Sequence, residues 1–245
     1  GRLLKDLNNT TIALIPKLPQ ACKLGDFRPI SCCNLIYKII SKIISNRLKG
    51  VLQDSISPSQ SAFLKGRSLG ENVLLSSELI RDYGKASCEK SSMLKVDIKK
   101  AFDTVSWDFV LKLLEAQNFP PIFRRWVSEC ISSPRFSVAI NGELAGFFPG
   151  KKGLRQGDPL SSYLFLFVME VLSNLLVIAA NAGRIRLHPR CSDPKITHLL
   201  FADDLLIFSN GSRWSINGIC SVMDKFKRMS GLSINPDKSH IFFGG

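Results

Sequence analysis

The chain has 245 residues, 45% of them hydrophobic, enough for one large domain or two small ones with a sizeable buried core, and this excludes a disordered segment. Lys and Arg outnumber Asp and Glu by 33 to 20, a net charge of +13, so the expected partner is a polyanion: nucleic acid first, then an acidic membrane face or acidic protein. The seven cysteines are scattered, odd in number and without a CxxC pair, which excludes a disulfide framework or a zinc knuckle and reads as a reducing compartment.

In chain order, "TTIALIPK" is a β-rich run stopped by Pro16, and "LPQACKLGDFRPIS" reads as a polar loop. A long helix is expected from about Asn34, with Ile36, Ile39, Ile40, Ile43, Ile44, Leu48 and Val51 on one face. After a turn near Pro58, Ser68 and Glu71 in "SLGE" form a capping-box pattern opening a helix through about Tyr83. "GKASCEKSS" is a loop, and "MLKVDI" a strand ending at Asp97. A helix capped by Asp103 or Ser106 follows, with Trp107, Val110, Leu111 and Leu114 at helical spacing. A short helix over about 123–131 leads to a hairpin, "RFSVAI" and "ELAGFF", turned by Asn141-Gly142.

The loop "KKGLRQGDPLSS" feeds a helix marked by Leu164, Phe167, Val168, Val171, Leu172 and Leu175. Its apolar block contains Glu170, Ser173 and Asn174, so it reads as a core helix and no membrane span is expected. "KITHLLFADDLLIFSNG" reads as two strands with Asp203 and Asp204 at their junction. Ile216, Ile219, Cys220, Met223 and Phe226 mark a helix closed by Gly231, and "LSINPDKSHIFF" ends as strand, turn, strand. From Met93 onward this order is that of a split βαβ, ferredoxin-like antiparallel sheet with helices on one face, an α+β fold.

In that sheet the strands bearing Asp97 and Asp203 are neighbours, so the two acids can converge. Carboxylates at strand ends make a hard oxygen site suited to Mg²⁺ or Mn²⁺, and two ions can straddle a reacting phosphate. Taken alone, the Asp203-Asp204 pair reads first as a water-exposed tight turn. The basic charge and the strand order favour the metal.

Four stretches occur in one order: "LKVDIKKAFDTVSWDFV", "KKGLRQGDPLSSYLFLFVMEVLSNLL", "LFADDLLIF" and "GLSINPDKSHIFF". They resemble the A, B, C and D motifs of reverse transcriptases, above all those of non-LTR (LINE-type) retrotransposons of plants. Upstream, "LIPK", "DFRPISCCNLIYKIISKIISNRL" and "SPSQSAFLKGR" resemble the fingers motifs of the same group. The resemblance covers nearly the whole chain.

It implies the fingers and palm of a right-hand polymerase: fingers over 1–85, palm over 86–245 with about 110–152 returning toward the fingers, and no thumb within these residues. The chain, which opens without Met, reads as a piece of a longer protein. The resemblance implies metal ligation by Asp97, Asp203 and the Ile98 carbonyl, holding two Mg²⁺ or Mn²⁺ ions, with Asp204 supporting the site. Phe102 matches the aromatic that excludes a 2′-hydroxyl, or is plain core packing. Gln156 and Gly157 in "RQGDP" match the loop facing the incoming nucleotide and template. Lys17 and Arg28 would bind the triphosphate. Lys238 is a proton donor to pyrophosphate or a hairpin-turn lysine. Arg67 and Arg155 would face nucleic acid. The implied activity is RNA-directed DNA polymerisation from a DNA primer on element RNA with deoxynucleoside triphosphates, in the nucleus, in a protein linked to an endonuclease domain. Two alternatives stay open: a non-catalytic nucleic-acid-binding remnant of the fold, and a group II intron-type enzyme. Ser162 stands where many relatives have proline, and the LINE-type match rests on "KAFDTVSWDF" and the long fingers helix.

Overall fold

The computed structural model describes residues 2–85 and 89–245. Cys88 and part of the expected loop "GKASCEKSS" lie outside the described residues. The chain forms two compact units, each assembled from two stretches: Gly1–Val51 with Phe102–Phe165, and Leu52–Ala101 with Leu166–Gly245.

The first unit begins with β1 (Asn9–Pro16), which ends where Pro16 can no longer donate to a ladder. Its neighbour β2 (Phe27–Cys33) begins inside the stretch expected to be loop and runs two residues past it. It pairs antiparallel with β1 from Thr10↔Cys33 to Pro16↔Phe27. Gly25, Asp26 and Pro29 hide this strand in the sequence, yet all are compatible with it. β2 is an edge strand, where proline is tolerated. The Asp26 carboxylate accepts from the Cys22 and Lys23 amides and shapes the approach.

Helix α1 (Leu35–Ser55) starts as expected, but its buried line is rotated. Tyr37, Ser41, Ile44, Ser45, Leu48 and Leu52 are buried, whereas Ile36, Ile39 and Ile43 are each about half exposed. Ser41 Oγ donates to the Lys38 carbonyl of its own helix, and Ser45 Oγ to the Pro159 carbonyl, each at 3.2 Å. Apolar periodicity alone marks the wrong face because two of the buried positions are small and polar.

Later in the chain come α3 (Ala101–Thr104), α4 (Trp107–Ala116), α5 (Pro121–Ser132) and the hairpin β4 (Arg135–Ile140) and β5 (Glu143–Pro149). Ser106 caps α4 by accepting from the Phe109 amide. The hairpin turns at Asn141 (φ +51°) and Gly142 (φ +87°), the left-handed pair that a two-residue loop needs. The sheet order is β2-β1-β4-β5.

The second unit holds α2 (Leu69–Ile80), β3 (Ser91–Val96), β6 (His198–Phe201), β7 (Asp204–Ser209), α7 (Arg213–Ser230) and β8 (His240–Gly244). Ser68 caps α2 through the Gly70 amide, and the helix stops at Ile80, short of Tyr83. The sheet order is β6-β7-β3-β8 with every neighbour antiparallel, the ferredoxin-like order expected of a split βαβ palm. Helix α6 (Pro159–Asn181) supplies residues to both units. It is long and apolar enough to cross a membrane, yet Leu164, Phe167, Val168 and Leu172 are buried within the protein, as a core helix requires. Gly231 closes α7 at φ +80°. All six cysteines among the described residues are free thiols.

Candidate active site

Asp203 sits in the two-residue loop between β6 and β7, which the Phe201↔Asp204 pair closes. Strand β7 pairs with β3 up to Val96↔Leu205, so Asp97, the next residue of β3, reaches the end of the sheet that carries the Asp203 loop. The Asp203 pKa is raised, first by burial and then by the charges of Asp204 and Asp97. Asp204 itself is exposed.

Asp97 is held by the segment before β8. The Asn235 side-chain amide donates to its Oδ2 at 3.1 Å, and the Asn235 backbone amide to its carbonyl at 2.8 Å. The Asp97 amide donates to Ser239 Oγ at 3.1 Å. Sequence reasoning singled out neither Asn235 nor Ser239. The signal available was their position in the D-like stretch, which the topology brings beside Asp97. Lys238 lies between them, exposed, in a short 3₁₀ turn.

The bonds Asn235 N–H to Asp97 O and Lys99 N–H to Ser233 O flank the Ile98↔Ile234 bridge. In an antiparallel pair this makes Ile98 and Ile234 the non-bonded couple, so the Ile98 carbonyl points away from Ile234, toward the β7 side. Two carboxylates and one such carbonyl are all hard oxygen donors, the donor chemistry that fits a divalent cation of the Mg²⁺ kind. Among the described residues no group of three or more His, Cys, Asp or Glu is clustered for metal binding, so the fit rests on this smaller set.

In the first unit, Phe102 is half-buried and stacks on Phe165 with ring centroids 4.6 Å apart. Gln156 and the Lys151-Lys152 pair line a cavity of about 750 Å³, together with Phe136 and Phe148. The Gln156 carbonyl accepts from the Ser31 amide at 2.9 Å. Gly157 has φ +106°, and a Cβ there would lie 3.2 Å from the Ser31 carbonyl oxygen; the close approach that needs glycine is to β2. Lys17 and Arg28 are exposed at the turn end of the β1–β2 pair, and Lys17 Nζ donates to the Gly25 carbonyl at 2.8 Å.

Of the two expected nucleic-acid contacts, Arg155 is buried and Arg67 is half-buried. Arg155 is 7% exposed. Its guanidinium donates to Asn8 Oδ1 at 2.7 Å, Thr10 Oγ1 at 3.0 Å and the Cys130 carbonyl at 2.9 Å. It also pairs with Asp158 at 3.4 Å and lies 3.9 Å over the Tyr37 ring. Both Nη groups and one face of the guanidinium are spent inside the unit, so Arg155 is the post on which the "RQGDP" loop is built. Arg67 likewise donates to the carbonyls of Ser57, Gln60 and Ile56 at 2.5, 2.7 and 2.9 Å, satisfying backbone acceptors just past the end of α1. The expectation for Arg155 came from the resemblance, and burial is not visible in a sequence.

The family described as reverse transcriptase (RNA-dependent DNA polymerase) matches residues 15–243. A 149 kDa protein of the TX1 transposon of Xenopus laevis is 30% identical over 207 residues, 84% of this chain and 15% of that protein. The polyprotein of the R2DM retrotransposable element of Drosophila melanogaster is 28% identical over 97% of this chain and 22% of its own length. The chain thus spans a minor part of these relatives. Among solved structures, apo telomerase from Candida tropicalis aligns with a TM-score of 0.66 at 14% identity, over 98% of this chain and 51% of that one, a likeness of fold. With its sheet order, paired acids and matched length, the chain belongs to the reverse transcriptase (RNA-dependent DNA polymerase) family, alongside the reverse transcriptases of non-LTR, LINE-type retrotransposons.

Proposed function

We propose that this chain is the polymerase core of an RNA-directed DNA polymerase that extends a DNA primer on retroelement RNA with deoxynucleoside triphosphates. The observation that carries the reading is the convergence of Asp97 and Asp203 at one end of the β3–β7 pair, where burial and two like charges raise the Asp203 pKa. Such an arrangement is costly unless a cation is there to offset it. Two divalent ions, held by Asp97, Asp203 and the Ile98 carbonyl, would supply activation of the primer hydroxyl and neutralisation of the triphosphate. Asn235 orients the Asp97 carboxylate, and Lys238, in the same segment, would give a proton to the departing pyrophosphate. In the other unit, Phe102 would exclude a 2′-hydroxyl, Gln156 and Gly157 would face nucleotide and template, and Lys17 and Arg28 would bind phosphate oxygens. The same reading places the enzyme in the nucleus, joined to an endonuclease domain in its full-length protein.

The test is primer extension on an RNA template with Mg²⁺ or Mn²⁺, offering deoxynucleotides and ribonucleotides separately, with Asp203→Asn as control. Metal-dependent extension with deoxynucleotides, abolished in the control, is the expected result. Tight binding of primer–template without extension, in a chain lengthened on both sides, would instead establish a binding module.

A further inference from the structure

We infer that Gln60 is a positioning residue that sets the conformation of the Asp203 loop. The loop has two residues, and the first, Ala202, has φ +57°. That is the position where a hairpin loop of this length favours glycine, because a Cβ crowds the backbone there. An alanine held at positive φ needs something to hold it.

Gln60 supplies the hold. Its side chain is 1% exposed. Its Oε1 accepts from the Ala202 amide at 3.0 Å, and its Nε2 donates to the Ala202 carbonyl at 3.3 Å. One amide thus grips both polar groups of one residue, as a neighbouring strand would. The Ala62 amide also donates to Oε1 at 3.0 Å, which fixes which end of the amide is oxygen. The alternative orientation would set two N–H groups against an NH₂.

The grip is anchored on both sides. Leu200 N–H donates to the Ser59 carbonyl at 2.8 Å and Ser61 N–H to the Leu200 carbonyl at 3.0 Å, so residues 59–61 run parallel along the free edge of β6. Arg67 holds the same segment through the Ser57 and Gln60 carbonyls. Ser59 Oγ meets His198 Nε2 at 3.0 Å, at the start of β6. Gln60 therefore stands on a segment bonded to β6, and what it grips is the first residue of the loop that carries Asp203. This inference rests on the polymerase reading for its activity consequence, but the grip itself is independent of it.

The experiment compares the wild-type chain, Gln60→Met, Ala202→Gly and the double variant. Three quantities are measured: Mn²⁺ affinity by electron paramagnetic resonance without substrate, kcat and KM for deoxynucleotide in primer extension, and Tm. Losing a residue that orients a ligating side chain costs about 10–100-fold in metal affinity or activity. Gln60→Met is expected to weaken Mn²⁺ binding and lower kcat at least about tenfold, with KM changed little. Glycine adopts the positive φ without help, so adding Ala202→Gly should restore most of both, while the Tm recovers only in part because the buried amide's bonds stay lost. A double variant no better than Gln60→Met, or unchanged Mn²⁺ affinity in Gln60→Met, would overturn the inference. If Gln60→Met does not fold, Gln60→Asn, which keeps the amide but falls a methylene short, is read the same way. A wild-type chain that binds Mn²⁺ without extending primers would count against the polymerase reading alone, since the metal readout still tests the grip.

Discussion

Replacing Arg155 by methionine should weaken the fold of its unit and leave nucleic-acid affinity intact. Methionine keeps most of the stem volume and removes the charge. Breaking a buried ion pair by deleting one partner costs about 3–5 kcal/mol, because a charge is left buried and unpaired. Here the partner is Asp158, 4% exposed. It keeps a 2.6 Å bond from the Tyr37 hydroxyl and a 3.0 Å bond from the Leu160 amide, so its charge is partly met and the lower end applies. The Cys130 carbonyl and Thr10 Oγ1 lose a charged donor, which adds to the cost. The estimate is about 3–4 kcal/mol, or a Tm lower by roughly 6–16 °C for a protein of this size. Adding Asp158→Asn should recover part of the loss, giving a non-additive cycle. Thermal melts and fluorescence anisotropy with an RNA–DNA duplex measure both sides. A Tm within about 2 °C of wild type together with a weakened duplex would refute the structural assignment and restore Arg155 to the nucleic-acid surface.

Arg67→Met should lower stability by about 1–3 kcal/mol through the three carbonyls it leaves, read in urea melts, again without loss of duplex affinity. Phe102→Val should raise the kcat/KM for ribonucleotides relative to deoxynucleotides by about tenfold or more if the ring excludes the 2′-hydroxyl; an unchanged ratio would leave only its stack on Phe165. His198 is buried, and burial lowers its pKa to about 4 from the ordinary 6.5. The unfolded chain therefore takes up the proton first, and this contribution to stability is lost as pH falls from 6.5 through 4, a slope that His198→Gln should remove from Tm-versus-pH curves. Asp203→Asn should abolish primer extension yet raise the Tm at neutral pH, because it removes a carboxylate that the folded state prefers protonated.

The palm order could be read from the sequence because each of its strands is a short apolar run bounded by turn residues. Asp97 and Asp203 could be placed at neighbouring strand ends from that order alone. What escaped was set by tertiary packing. Strand β2 was hidden by Pro29 and the Gly25-Asp26 turn, which only its edge position excuses. The buried face of α1 was missed because Ser41 and Ser45, both fully buried, carry no apolar signal. Arg155 was misplaced for the opposite reason: a charge looks like surface until the acceptors around it are known. Gln60 stood in plain view within "SPSQSAFLKGR", but a lone glutamine has no pattern, and its partner lies 142 residues away.

These features explain why the Asp203 loop combines a positive-φ alanine with a partly desolvated acid. A non-glycine residue at positive φ costs on the order of 1–3 kcal/mol, and a partly desolvated carboxylate beside two others adds to it. Nothing in the sheet requires either, since glycine at 202 and asparagine at 203 would close the same hairpin with less strain. The sign of the pH dependence separates this cost from ordinary packing. The folded state holds the Asp203 proton above the ordinary value of 3.8, so wild-type stability falls as pH rises from 3.8 through the raised pKa. Asp203→Asn lacks that term, so its advantage in Tm should be small in acid, grow across that window and then stay constant. Saturating Mn²⁺ should erase the advantage in favour of the wild type, because a ligand that binds only the folded state stabilises it. An advantage that is flat with pH and indifferent to Mn²⁺ would mean that the strain has no bearing on metal, and that the loop is merely tight.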